Sequence, residues 1–189
     1  MKKRIAITGW CHDRIKSLVK NPVLSIDATA GTGRDTIFLC ELAGRTGRVI
    51  ALDIQPQAVE QTKKRLIENK MEERAAVFLD SHEHIDRYAE PETVSLIMFN
   101  LGYLPGGDHR LATKGPTTIR ALEKGLKLLH GGGVVSLLIY SGGDSGFEEK
   151  NQVLAWIKTL PPDQYTVILE SFYNKPNHPP LPVYIIKNE

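Results

Sequence analysis

Short, almost unbroken apolar runs recur along the chain, each followed by a stretch with helical spacing. Residues 23–27, 48–53 (RVIALD), 75–80 (AAVFLD), 94–100 (VSLIMFN) and 132–140 (GGVVSLLIY) read as strands. The fourth is so apolar that both of its faces should be covered. Helical spacing fills the gaps at 10–20, 34–43 (stopped by Gly44), 55–70 and 146–159. In 55–70, Ala58, Val59, Thr62 and Leu66 share one face, with the charges opposite. A short helix is expected after residue 80, and a longer one from near Pro116 to His130, proline suiting a first helical turn. The last two runs, 165–173 and 182–188, leave no room for a helix between them and should pair antiparallel. The alternation predicts an α/β fold, a doubly wound, mostly parallel sheet with helices on both faces and a closing hairpin.

Composition changes this picture little. With 189 residues, 41% hydrophobic and 24% charged, the chain suits one domain over residues 1–189. The basic start is followed by an apolar stretch too short for a signal peptide, interrupted by Cys11, His12 and Asp13. No later run is long enough to span a bilayer, so a cytoplasmic protein is expected. Cys11 and Cys40 lack metal-type spacing and read as small buried hydrophobes. A net charge of +2 neither demands nor excludes RNA; Lys2-Lys3-Arg4 and Lys63-Lys64-Arg65 also suit solvated faces.

In a sheet of this kind ligands lie beyond the carboxyl ends of the strands. Those ends carry Asp27 with Thr29–Gly33, then Asp53, Asp80 with Ser81 and His82, and Asn100 through Tyr103. The stretch SIDATAGTGRDT (25–36) is a strand, a tight turn on Gly31 and Gly33, and a helix start. A dinucleotide fingerprint would carry a third glycine where Thr36 stands, and Asp27 would repel a pyrophosphate. A carboxylate at that turn suits a cationic ligand, and S-adenosylmethionine (SAM) has an ammonium, a sulfonium and no phosphate. Asp53 ends the second strand, where its two oxygens can accept ribose hydroxyls from either ligand. His82 and His84 form H-x-H with no third ligand, so no metal site is expected.

With DATAGTGRDT, ALDIQ, DSHE, NLGYLPGGDH, Thr117-Thr118 and the C-terminal NHPP, the chain resembles class I SAM-dependent methyltransferases over essentially its full length. Within them it is similar to the small bacterial rRNA methylase family of the MnmM (YtqB) type. The resemblance implies a Rossmann-like sheet of seven strands, the last antiparallel. It also implies N-methylation of the 5-aminomethyl group of wobble 2-thiouridine in the anticodon region of tRNA, with SAM as donor and S-adenosylhomocysteine as product. On the same basis the turn with Thr29, Ala30, Gly31 and Gly33 would pass the methionine part of SAM, Asp27 and Asp35 would also bind the cofactor, and Asp53 with Gln55 would hold the ribose. Ser81 and His82 would lie near the adenine, and Asn100, Leu101 and Gly102 would separate donor from substrate pocket. One segment departs from the pattern: Tyr140-Ser141-Gly142-Gly143 stands where relatives often carry Tyr-x-Gly-His.

Methyl transfer to an alkyl amine needs an aligned donor and a free lone pair on nitrogen. Such an amine is largely protonated at neutral pH, having a lysine-like value near about 10. The Asn100 side-chain oxygen and the Leu101 carbonyl can accept its N–H bonds, much as N-P-P-Y loops orient exocyclic amines. Tyr103 could stack on a base. His12 is a candidate lid or proton acceptor on the first helix, and Asp108 and His109 lie in a glycine-rich loop suited to closing over RNA. Other readings stay open: an rRNA methyltransferase, a small-molecule N- or O-methyltransferase, a dinucleotide oxidoreductase, and a non-catalytic SAM- or RNA-binding module. The lack of an inserted cap domain favours a recessed site open to a flipped-out nucleotide. A homodimer would widen the RNA-binding surface.

Overall fold

Alternation along the central strands decides which helices cover which residues. The computed structural model describes residues 6–102, 113–141 and 143–189, the side chains of 143–145 excepted. In β4 (Val94–Leu101), Ile97, Phe99 and Leu101 enter one core. They pack with Ala121, Leu122 and Leu126 of α4 (Gly115–Leu128) and Val153 and Ile157 of α5 (Gly143–Ile157). Leu96 and Met98 enter the opposite core, with Ile15 of α1 (Ile7–Leu18), Phe38 and Leu39 of α2 (Arg34–Ala43), and Leu66 of α3 (Pro56–Glu68). A strand covered on both faces is the reason its sequence is nearly all apolar.

The other strands are β1 (Leu24–Asp27), β2 (Arg48–Asp53), β3 (Ala75–Leu79), β5 (Leu129–Ile139), β6 (Tyr165–Leu169) and β7 (Leu181–Lys187). They form one seven-stranded sheet in the order β3-β2-β1-β4-β5-β7-β6. All pairings are parallel except those of β7, which runs antiparallel to both β5 and β6. This is the Rossmann-like, mostly parallel architecture expected from the alternation. The closing hairpin docks through its second strand, because Val183, Tyr184 and Ile185 of β7 are fully buried while Val167, Ile168 and Leu169 of β6 are part-exposed at the edge.

The boundaries shift in places. β5 begins at Leu129, three residues before the expected start at 132, and takes in Leu129 and His130, expected as the end of a helix; its register slips between Val94 and Leu96, where Gly132 turns at φ +78°. β6 stops at Leu169, four residues early, since Phe172 and Tyr173 leave the sheet after Glu170 N–H bonds the Pro182 carbonyl at 3.0 Å. The short helix after β3 is a 3₁₀ helix, His82–Arg87. Among the described residues no helix is long and apolar enough to cross a membrane.

The turn between β1 and α2 depends on Gly33. Its φ is +76°, its N–H bonds the Ala30 carbonyl at 2.8 Å, and it caps α2. A Cβ there would come within 2.9 Å of the Thr62 Cα on α3. Gly33→Ala combines left-handed strain with a backbone clash, so it should lower unfolding free energy by roughly 2 kcal/mol. A urea midpoint indistinguishable from that of the unaltered chain would show that the two helices separate freely.

Candidate active site

The strand order reverses between β1 and β4: the chain leaves β1 toward β2 and β3, and leaves β4 toward β5. A crevice opens at such a reversal, beyond the carboxyl ends of the two strands. The expected site residues that are described lie at or just beyond the ends of β1, β2, β3 and β4. Asp27, the last residue of β1, is only 1% exposed. Its carboxylate accepts the Thr36 hydroxyl at 2.6 Å and the Thr29 N–H at 3.3 Å. Burial, and then the charge of Asp35, push its pKa well above the ordinary carboxylate range. Thr36, which stands where a dinucleotide fingerprint has its third glycine, is thus the residue that satisfies this buried acid.

At the end of β2, Asp53 accepts the N–H of Gly31 and the N–H of Gln55, each at 2.9 Å. Burial raises its pKa against the pull of those two amides. Each oxygen retains further acceptor capacity, so two hydroxyls can still bind. Ala30 N–H reaches the Leu52 carbonyl at 2.9 Å, which fastens the glycine turn to β2.

Asn100 occupies the β4 face shared with Leu96 and Met98, the face covered by α1 and α2. Its backbone N–H donates to the Thr29 hydroxyl at 2.7 Å. Its side-chain Nδ2 donates to Asp35 Oδ2, and the other Asp35 oxygen lies 2.7 Å from His12 Nε2. A carboxylate only accepts, so the amide nitrogen must face it. The amide oxygen is buried and has no hydrogen-bond partner among the described residues. The His12 ring stacks flat on Phe38, with centroids 3.8 Å apart and planes 1° from parallel. Asp35, expected as a border of the cofactor, is therefore also the group that orients Asn100.

Leu101 is buried in the core, which leaves only its backbone to any site role. Gly102 has φ +145°, and the Tyr140 ring lies beside it. Gly102 N–H donates to the Thr113 hydroxyl at 2.8 Å and its carbonyl accepts Thr113 N–H at 3.0 Å. The same hydroxyl donates to Glu149 at 2.7 Å, and Thr118 donates to the other Glu149 oxygen at 2.8 Å. Burial raises the pKa of this glutamate. The clamp joins the end of β4 to α4 and α5. Tyr103, Asp108, His109 and Gly142 lie outside the described residues.

Beyond β3, Ser81 caps the 3₁₀ helix, its hydroxyl accepting Glu83 N–H at 3.3 Å. Asp80 is bonded by His84 at 2.7 Å, Tyr88 at 2.9 Å and the Ser81 N–H at 2.7 Å, and the His84 bond leads in pulling it down to about 2. His82 is buried edge-on to Phe99, and its Nε2 has no partner among the described residues. Burial holds its pKa down at about 4.

Hydrogen bonds therefore link Asp27, Thr29, Gly31, Asp35, Asp53, Gln55 and Asn100 into connected groups at one edge. The sequence reading missed Thr113 and Glu149. A signal existed for the second: Glu149, Val153 and Ile157 recur every four residues on the buried stripe of α5, and an acid in such a stripe needs partners.

Comparison with known proteins gives a consistent result. The model of the family described as "Putative rRNA methylase" matches residues 49–186. A crystal structure from Clostridium thermocellum under the same description superposes with TM-score 0.93 at 42% identity, covering 98% of this chain and 99% of that one. A Streptococcus mutans protein solved in complex with SAH superposes with TM-score 0.86 at 35% identity over 99% of each chain. A curated relative from Arabidopsis thaliana, named tRNA (mnm(5)s(2)U34)-methyltransferase, chloroplastic, is 35% identical over 173 residues. That match takes in 87% of this chain but 63% of the relative, so the chain spans less than two thirds of its length.

His82 makes the site edge acid-sensitive. The unfolded chain gains this proton below the ordinary value of 6.5, the folded one only below about 4. In that window the unfolded state binds more protons, so stability falls as pH falls, by up to roughly 3 kcal/mol. His82→Gln should remove that component, read as a smaller difference in urea midpoint between pH 7 and pH 4.5. Parallel pH dependence in the two proteins would place the titration elsewhere.

Proposed function

Because the chain belongs to the rRNA methylase family, whose model matches residues 49–186, we propose that it is a SAM-dependent RNA methyltransferase. Its substrate is tRNA, and the reaction N-methylates the 5-aminomethyl group of wobble 2-thiouridine. The observation that carries this reading is the buried Asn100 Oδ1, an acceptor with no partner among the described residues and with its amide locked by Asp35. The name of the Arabidopsis relative supports the choice of substrate, and the SAH complex of the Streptococcus mutans protein supports the choice of donor.

The chemistry of the crevice fits SAM. Asp27, Asp35 and Asp53 surround the glycine turn, and among the described residues no lysine or arginine pairs with any of them. Such a cradle repels a pyrophosphate and attracts an ammonium and a sulfonium. Asp53 and Gln55 would hold the ribose, the turn at Thr29–Gly33 the methionine part, and Ser81 with His82 the adenine side. When bound, SAM supplies an electrophilic methyl group.

The remaining work falls to the chain. The amine arrives largely as ammonium and must release one proton to solvent before its lone pair can attack. Asn100 Oδ1 and the Leu101 carbonyl accept N–H bonds from the neutral amine and aim that lone pair. The carbon–sulfur bond then breaks as the carbon–nitrogen bond forms, and the positive charge ends on the secondary ammonium. Asp35 and His12 act as positioning residues, since each holds the next in place.

The family description favours rRNA as a second target. A cytoplasmic location fits a tRNA substrate, and the exposed apolar residues of edge strand β6 support a homodimer. With tritiated-methyl SAM and separate pools of undermodified tRNA and rRNA, label is expected in 5-methylaminomethyl-2-thiouridine after nucleoside digestion. Label confined to rRNA would move the target, and label in neither pool would remove the RNA reading. Asn100→Ala should lower kcat by about 10²-fold while SAM still raises the melting temperature. Unchanged turnover would sink the role given to Asn100.

A further inference from the structure

Two residues, Thr113 and Glu149, reach the end of β4 and have no part in the steps above. Gly102 places both of its backbone polar groups on Thr113: its N–H donates to the hydroxyl at 2.8 Å, and its carbonyl accepts the Thr113 N–H at 3.0 Å. The Thr113 hydroxyl has one proton, and it goes to Glu149 Oε2 at 2.7 Å. The Gly102 carbonyl, 3.5 Å from the same hydroxyl, is the poorer acceptor. The other carboxylate oxygen takes the Thr118 hydroxyl at 2.8 Å. Thr118 lies in α4 and Glu149 in α5, so the far end of this chain of bonds is set in two helices.

Glu149 stands on the buried stripe of α5, and burial raises its pKa against the pull of both hydroxyls. Leucine there would extend the stripe of Val153 and Ile157 without the cost of burying a carboxylate. What the carboxylate adds is direction. Ionised, it only accepts, so the Thr113 proton must face it and a hydroxyl lone pair is left for the Gly102 N–H. That N–H and the Leu101 carbonyl belong to one planar peptide, in which they point opposite ways. Fixing the N–H therefore fixes the line of the carbonyl. The need is local, because β4 ends at Leu101, where its pairing with Ile139 of β5 also ends, and Gly102 turns away at φ +145°.

We infer that Glu149 is a positioning residue for methyl transfer, acting through Thr113 to set the Leu101 carbonyl toward the acceptor amine. The inference rests on the methyl-transfer reading above and gives its second acceptor a means of alignment. A neutral amine that offers two N–H bonds needs two acceptors, and each is then held by its own acid. Asp35 of α2 holds the amide of Asn100, and Glu149 of α5 holds the peptide of Leu101. The two helices cover opposite faces of the sheet, so the acceptors are braced from both sides.

The test is steady-state methylation of undermodified tRNA by the full chain, with kcat and the KM for SAM read separately. Thr113→Val keeps the side-chain shape and removes the hydroxyl, and should lower kcat about ten-fold with that KM unchanged. Thr113→Ser should restore kcat. Thr118→Val strips a bond from the same carboxylate but touches nothing at Gly102, so it should lower the melting temperature and keep kcat within about two-fold. Glu149→Leu should match Thr113→Val, and the double variant should be no slower than either, since the two act in series. The melting shift produced by S-adenosylhomocysteine should persist in every variant, which separates a misaligned acceptor from a lost fold. If Thr113→Val turns over like the unaltered chain, or Thr118→Val falls as far as Thr113→Val, Glu149 has a structural role alone and the methyl-transfer reading stands. If Thr113→Ser fails to restore turnover, or the losses add in the double variant, the route through Thr113 is wrong. If the unaltered chain methylates no tRNA, that reading and this inference fall together.

Discussion

The bond from the Asn100 N–H to the Thr29 hydroxyl, 2.7 Å long, crosses the line where the strand order reverses. To one side lie β2 and β3 with Asp53 and Asp80; to the other lie β5 and β7 with Tyr140. Without that bond the glycine turn of β1 and the end of β4 would be held by their sheet pairing and the Asp35–Asn100 bond. With it, the cradle at Gly31 and Gly33 and the amide of Asn100 are fixed relative to each other. Asp35 adds a second tie from α2, and His12 a third from α1. On the reading proposed above, methyl transfer depends on alignment, and a short chain of bonds between donor cradle and acceptor site serves it.

The crevice concentrates acids. Asp27, Asp35 and Asp53 sit within one loop-and-strand unit, and burial raises the first and last above their ordinary range. A fold selected for stability alone would have little reason to bury Asp27 at 1% exposure. On the reading proposed here the unfavourable electrostatics are relieved by a cationic ligand. The hydroxyl of Thr36 makes the ligand-free state tolerable meanwhile. The same residue is why the turn cannot be a dinucleotide fingerprint, so one threonine bears on stability and on ligand class together.

The sheet was legible because parallel strands buried on both faces write themselves as unbroken apolar runs, VSLIMFN above all. The strand-end residues were legible for the same reason, since the run stops where the site starts. Strand insertion was not. Both β6 and β7 are apolar, and only packing shows that β7 takes the buried place beside β5. Nor could the pattern say which helices cover the Leu96–Met98–Asn100 face. That is why Asp35 and His12 entered the sequence reading separately and meet around Asn100 only in three dimensions. Thr113 and Glu149 were missed because their partners lie 11 and 36 residues away from Thr113 along the chain, beyond the reach of local periodicity.

An unpartnered Asn100 oxygen is the feature that most needs a reason. Leaving a buried acceptor unsatisfied costs about 1–3 kcal/mol. Leucine or methionine at that position would continue the pattern of Leu96 and Met98 at no such cost. The fold instead spends three elements on the amide: β4 carries it, α2 supplies Asp35 and α1 supplies His12. Every bond in that chain restrains the nitrogen side of the amide, and among the described residues none reaches the oxygen. A purely structural asparagine would have been satisfied at both ends, whereas an acceptor held for an incoming N–H must be left open at one. The same logic separates this residue from Glu149, whose two oxygens are both bonded. Glu149 closes the structure, and on the proposed reading Asn100 keeps one valence for the incoming amine.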